Sequence, residues 1–386
     1  MAGLSVLRLT AAVGVLGALA GCDDFKDHSQ KSVTPAEVAT AARPVTLAAS
    51  SASAAPVLAP PPANVALSDA NLPPAGLAID QAVPTTAQPA ARPASYDPVL
   101  IRAEVLLDRA GFSPGAIDGR DGENLHRALK AFAAAHGLAS TGALDAAVWQ
   151  ALSQDAAPVM QSYVISADDE AGPFIGAIPK DYRAMAKLPA LGFTDPRQEL
   201  AERFHMDPKL LVALNPGADL TQAGGRLLVV APRSGPRDFQ AARLEVDKTN
   251  EQVRAYGADG KLLAVYPASV GSSERPAPSG VFAVAAVAPR PAYYYDPSRL
   301  TFTPQGAKGK LKIAPGPNNP VGSTWIALTV PTYGIHGAPD PVLIGKRQSH
   351  GCVRLTNWDV VELGKAVKKG VSVAFVGQDA PTGAKT

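Results

Sequence analysis

Two imidazoles, a thiol, a hydroxyl and a guanidinium fall within 19 residues, from His336-Gly337 to Ser349-His350-Gly351-Cys352-Val353-Arg354. A thiolate is a far better nucleophile than a thiol. Forming one near neutral pH needs an adjacent base or positive charge. His336 or His350 could be that base. The Gly351 and Cys352 amides could stabilise an oxyanion, and Arg354 could grip a carboxylate in bidentate fashion. The same residues admit other readings. A lone Cys is often a buried small hydrophobe, and His336 could be a satisfied structural histidine. Cys with two His could also be an incidental metal site, though His-x-Cys is poor spacing without further ligands.

Positioning these groups falls to a strand-rich segment. Residues 243–246, 262–266, 281–287, 325–330 and 371–376 are β-prone runs separated by Gly and Pro signals. Residues 357–367 read as one helix. The pattern predicts a mostly β, sandwich-like domain over 240–377 with a tail at 378–386. His336 follows the 325–330 run and Cys352 precedes the helix. A loop folding back between them would bring the two together.

This stretch resembles the L,D-transpeptidase (YkuD-type) catalytic domain, whose mark is His-Gly, a loop, then Ser/Thr-His-Gly-Cys-x-Arg. The likeness extends through Pro278-Ser279-Gly280, the run from Gly316 to Gly322, Tyr333-Gly334-Ile335 and Leu355-Thr356-Asn357-Trp358-Asp359. Ala338 and Ala277 depart from the common Thr, and neither removes a reacting group. The resemblance implies that Cys352 is the nucleophile and His336 the proton acceptor and donor. It implies that the Gly337 carbonyl orients His336, and that His350 with the Gly351 and Cys352 amides positions the acyl group. Ser349 and Arg354 would position substrate or shape the loop. The implied reaction is ping-pong acyl transfer from the L-centre of meso-diaminopimelate in a tetrapeptide stem, with D-Ala leaving. The acceptor stays open: an amine giving a 3→3 cross-link, water in an L,D-carboxypeptidase, or a protein amine anchored to the wall. A wall-binding protein with a dead catalytic domain is the non-enzymatic alternative. The chemistry needs no metal or organic cofactor.

The chain has 386 residues, enough for two or three domains. A net charge of +2 gives no electrostatic case for nucleic acid. Two cysteines exclude a disulfide framework and a four-Cys zinc site, and the absence of HExxH argues against a metalloprotease. Residues 97–152 show helical spacing at Val99, Ala103, Leu106 and Ala110 and at Leu125, Leu129 and Phe132. Asp145 is placed to cap a last short helix. With Ile117-Asp118-Gly119, Ala128 to Phe132 and Thr141-Gly142, this segment resembles the peptidoglycan-binding type 1 module, a small all-α domain. Residues 160–232 read as β-α-α-β and resemble a degenerate LysM module, with about 30 residues intruding after the first strand. The resemblances imply peptidoglycan stem peptides and glycan as partners.

Residues 1–22 carry Arg8 and an uncharged, mostly apolar run from Leu9 to Ala20, too short to span a bilayer and suited to a signal peptide. Leu19-Ala20-Gly21-Cys22 resembles the lipobox of bacterial lipoproteins, which implies a lipidated Cys22 and a membrane-anchored protein of the bacterial cell envelope and periplasm. Cys352 would then have no disulfide partner. Residues 23–96 are Ala- and Pro-rich, and 31–95 lack Phe, Tyr and Trp. They read as a disordered tether.

Overall fold

The computed structural model describes residues 72–84, 96–271, 276–297, 309–347, 349 and 351–378. Cys22, His350, residues 1–71 and most of the 378–386 tail lie outside the described residues.

The stretch expected to be a tether departs from that reading at its C-terminal part. Pro74–Asp80 form helix α1, opened by Pro74 at its first turn. Leu72 and Ile79 are buried, and Asp80 Oδ1 accepts from the amides of Val159 and Met160 at 2.7 and 2.9 Å. Two apolar side chains and one carboxylate are enough to pin a short segment that composition alone marks as unstructured.

Helices α2 (Pro98–Ala110), α3 (Glu123–Ala135) and α4 (Ala146–Leu152) form the helical region. Asp97 caps α2 through the Val99 amide at 2.8 Å, and Gly111 ends it at φ 86°, a left-handed turn that favours glycine. Asp145 caps α4, as its position predicts. The next segment runs β1 (Met160–Val164), α5 (Ala167–Ala171), α6 (Tyr182–Met185), α7 (Pro196–Arg203), α8 (Pro208–Leu214) and β2 (Arg226–Val230). β1 and β2 pair antiparallel, Met160 opposite Val230. The intruding residues supply α5 and α6.

The expected separation of 97–152 from 160–232 does not hold in the packing. Ile101, Leu106, Leu129 and Phe132 share one apolar core with Leu200, Phe204, Leu211 and Val229. Neither helical set is large enough to bury its apolar face alone, and each closes the other's.

The remaining strands are β3 (Arg243–Asp247), β4 (Gln252–Tyr256), β5 (Leu262–Pro267), β6 (Ser269–Val270), β7 (Gly280–Pro289), β8 (Tyr293–Tyr295), β9 (Leu311–Ile313), β10 (Thr324–Leu328), β11 (Gly334–Gly337), β12 (Val353–Leu355) and β13 (Ser372–Val376), with α9 (Asn357–Ala366) before the last. Nine of them form one sheet in the order β5-β4-β3-β13-β7-β10-β11-β12-β6. Ten-residue β7 serves both halves, pairing β13 with its first part and β10 with its second. β5 and β6, at opposite edges, are separated in sequence only by Ala268, so the sheet folds back on itself as a sandwich. Its core includes Leu244, Val253, Ile326, Ile335, Val353 and Leu363.

Arg233 ties the two halves of the chain together. Its guanidinium meets Asp108 of α2 at 2.8 Å, and Asp359 and Glu362 of α9 at 3.1 and 3.0 Å. All four are buried. Burial pushes Asp108 up, but Arg233 and then His205 hold its carboxyl well below the usual range. Ser113 donates to Asp359 at 2.9 Å, and the His205 ring stacks on Trp358 at 4.9 Å.

Candidate active site

His336 and Cys352 are brought together by β11 and β12. These are parallel neighbours with Ile335 opposite Val353 and His336 opposite Arg354. Parallel strands need a crossover of a dozen or more residues. Residues 338–352 provide it, with a 3-10 turn at Pro341–Leu343. Side chains alternate along a strand. Ile335 and Val353 are wholly buried in the sandwich core, each burial stabilising by roughly 2 kcal/mol. His336 and Arg354 therefore share the opposite face, and Cys352, one step before β12, continues that row beside Gly334.

The Nδ1 of His336 lies 2.7 Å from the Gly337 carbonyl oxygen. A carbonyl only accepts, so Nδ1 carries the proton and Nε2 keeps the basic lone pair. Trp325, opposite His336 on β10, stacks on the imidazole at 5.5 Å and 24°. Burial and then the Arg354 charge depress the His336 pKa to about 3, so the ring is neutral at physiological pH. The half-buried Cys352 thiol is pushed up by burial. A backbone hydrogen bond from Gly334 and the positive charge of Arg354 pull it back. At physiological pH both groups are therefore neutral, a thiol and an imidazole.

Gly337 sits where nothing larger fits. A Cβ there would lie 2.2 Å from Asn357 Oδ1, and one on Gly322 2.3 Å from the same oxygen. Asn357 Oδ1 accepts from the Ser323 amide at 2.9 Å, while its Nδ2 donates to Pro317 O at 3.1 Å and to Glu202 Oε2 at 3.2 Å. The run from Gly316 to Gly322 is gripped from outside as well. Asn318 donates to Gly192 O at 2.7 Å and to Gln198 Oε1 at 2.9 Å.

The other expected site residues separate into distinct roles. Ser349 is buried; its amide donates to Gly271 O at 2.9 Å and its Oγ accepts from Gly351 N at 3.2 Å. It shapes the loop. The Gly351 amide, one of the two expected oxyanion donors, is thereby engaged with Ser349 in this resting loop. Tyr333 donates its hydroxyl to the Gly351 carbonyl. Arg354 is half-buried beside Cys352, Tyr182 and Tyr293; burial lowers its pKa, and those three groups raise it in part. His350 lies outside the described residues.

Trp325, Tyr182, Tyr293 and Glu202 were not singled out by sequence reasoning. Tyr182 comes from α6 in the intruding segment and meets Tyr293 edge to face at 6.0 Å. No local pattern joins residues 182 and 293. Trp325 alone had a usable signal, as a bulky residue inside a strand adjacent to the His-Gly strand.

Among the described residues no cluster of His, Cys, Asp and Glu could hold a metal ion, and no helix is long and apolar enough to cross a membrane.

Residues 241–375 match the family profile of the L,D-transpeptidase catalytic domain (YkuD), and residues 99–152 that of a putative peptidoglycan binding domain. The chain is 29% identical over 178 residues to a putative L,D-transpeptidase of Bacillus licheniformis, covering 46% of this chain and 92% of the relative. It is 42% identical over 76 residues to its counterpart in Bacillus subtilis, covering 20% of this chain and 46% of that protein. A solved L,D-transpeptidase 3 of Mycobacterium tuberculosis is 17% identical and covers 40% of this chain and 75% of that one, with a TM-score of 0.30. The chain therefore carries an L,D-transpeptidase catalytic domain joined to a peptidoglycan-binding domain, and its place is the cell envelope.

Proposed function

We propose that this chain transfers peptidoglycan stem peptides through a thioester on Cys352. The observation that carries this reading is the row of Cys352, His336 and Arg354 on one face of β11 and β12, with the His336 tautomer set by Gly337 O at 2.7 Å. In the first half-reaction the Cys352 sulfur attacks the carbonyl of the L-centre of meso-diaminopimelate. His336 Nε2 takes the thiol proton and passes it to the leaving nitrogen of D-Ala as the C–N bond breaks. In the second, an acceptor amine attacks the thioester, the C–S bond breaks and the proton returns through His336 to sulfur. The Gly351 and Cys352 amides are the candidate donors to the developing oxyanion, Gly351 once it leaves Ser349 Oγ. The amine of a second stem as acceptor makes a 3→3 cross-link.

Residues 160–232 serve as a LysM-like part of the wall-binding surface, consistent with their antiparallel β1–β2 pair and the helices between. Cys22 carries lipid and holds the enzyme at a periplasmic membrane face.

The test is mass spectrometry of muropeptides after incubating the enzyme with tetrapeptide sacculi. Cross-linked dimers released with D-Ala support the cross-linking reading; tripeptides alone show water as acceptor. Cys352→Ala abolishes both products, and turnover persisting in that variant refutes the assignment. Membrane fractionation of Cys22→Ser tests the anchor, with full membrane retention as the refuting result.

A further inference from the structure

A wholly buried carboxylate from outside the catalytic domain stands behind the catalytic histidine. Glu202 is 4% exposed on α7, in the segment between β1 and β2. Its Oε2 accepts from Asn357 Nδ2 at 3.2 Å, while Oε1 has no hydrogen-bond partner among the described residues. A buried carboxylate facing no cation is costly, and such a group calls for an explanation. Burial, with Glu199 nearby, drives its pKa up to about 7 despite the Asn357 hydrogen bond.

The explanation lies in what Asn357 does. Its Oδ1 receives the Ser323 amide and fills the space against the Cα atoms of Gly322 and Gly337. That orientation requires acceptors on its Nδ2 side, because a flipped amide would set two N–H donors against the Ser323 N–H. Glu202 and Pro317 O are those acceptors. Gly337, held by Asn357, presents the carbonyl that orients His336 Nδ1.

We propose that Glu202 is a positioning residue for His336, acting from α7 through Asn357 and Gly337, so that the segment between the wall-binding helices and the sandwich completes the active site. The inference rests on the reading of His336 as the base for Cys352. A misplacement of a fraction of an ångström at a base costs rate while leaving substrate binding intact.

The experiment measures alkylation of Cys352 by iodoacetamide in the full chain, alongside kcat and KM on a tetrapeptide donor. The variants are His336→Ala, Glu202→Ala, Glu202→Met and Glu202→Gln. Met fills the buried volume without an acceptor, and Gln restores one. We expect Glu202→Ala and Glu202→Met to lose about tenfold or more in alkylation rate and kcat with KM little changed. Glu202→Gln should stay within about twofold of wild type. Wild-type alkylation in both apolar variants, or an equal loss in Glu202→Gln, overturns the proposal. If His336→Ala itself alkylates at the wild-type rate, the reading of His336 as base is what fails.

Discussion

Burial and Arg354 hold the His336 pKa near 3, against 6.5 for a free imidazole. Between those values the unfolded chain binds a proton there that the folded chain refuses, so this group's contribution to stability is lost as pH falls below about 6.5. Glu202 works in the opposite sense. Its folded pKa is about 7 against 4.5 when free. Its contribution is full below the free value and is lost as pH rises through 7. Glu202→Gln removes a buried ionisation and keeps the acceptor for Asn357. It should raise the melting temperature at about pH 8, with the gain vanishing below the free carboxyl value, by about pH 4. Scanning calorimetry at both values decides it; an equal gain at both would sink the assignment of a raised pKa. At this scale the candidate residues could be read together because thiol, imidazole and guanidinium sit within a short span of sequence. Glu202 was not. It lies 134 positions from His336, and a Glu on a short helix reads as solvated until the partner surface is known.

Helix α9 is where the wall-binding half and the sandwich meet. Its face toward α2 carries Asp359 and Glu362, both wholly buried against Arg233. Removing the cation strands carboxylates away from water, which costs about 3–5 kcal/mol. Arg233→Met should therefore lower the urea midpoint with little change in slope. A variant as stable as wild type would mean that the cluster contributes nothing. The helix and the principal strands were readable from β-prone runs and Gly or Pro breaks. Short strands such as β6 and β12 were not, since two or three residues carry no period and exist only through pairing with neighbours distant in sequence. α1 was hidden for a related reason. A Pro-Ala segment acquires structure only from the surface that Ile79 and Asp80 find.

Across the whole molecule, one core runs from the peptidoglycan-binding helices through β1 and β2 and reaches Val265 of β5. The Phe112–Val265 bridge and the Arg127–Glu251 ion pair at 3.0 Å cross the same boundary. Parts so joined unfold together, so we expect one calorimetric transition with equal van't Hoff and calorimetric enthalpies. Two resolved transitions would show that the halves are independent. Domain order was legible in the motifs. The joint was not, because each motif describes its own unit and is silent about the faces between units.

Asn124, in the first turn of α3, donates to the carbonyl of Ile344 at 2.8 Å, and its amide oxygen lies where a side chain on Gly345 would begin. Residues 344 and 345 belong to the crossover between His336 and Cys352. A glycan strand gripped by residues 99–152 would thus be gripped by a part that touches the catalytic loop directly. A leash lets its tip wander, and the reacting ends meet by chance. A jig sets the same offset every time. Under the proposed reaction the protein would act as a jig: the spacing between a held strand and the acylated stem would be cut into the molecule, and cross-links would fall at a repeatable distance along the strand.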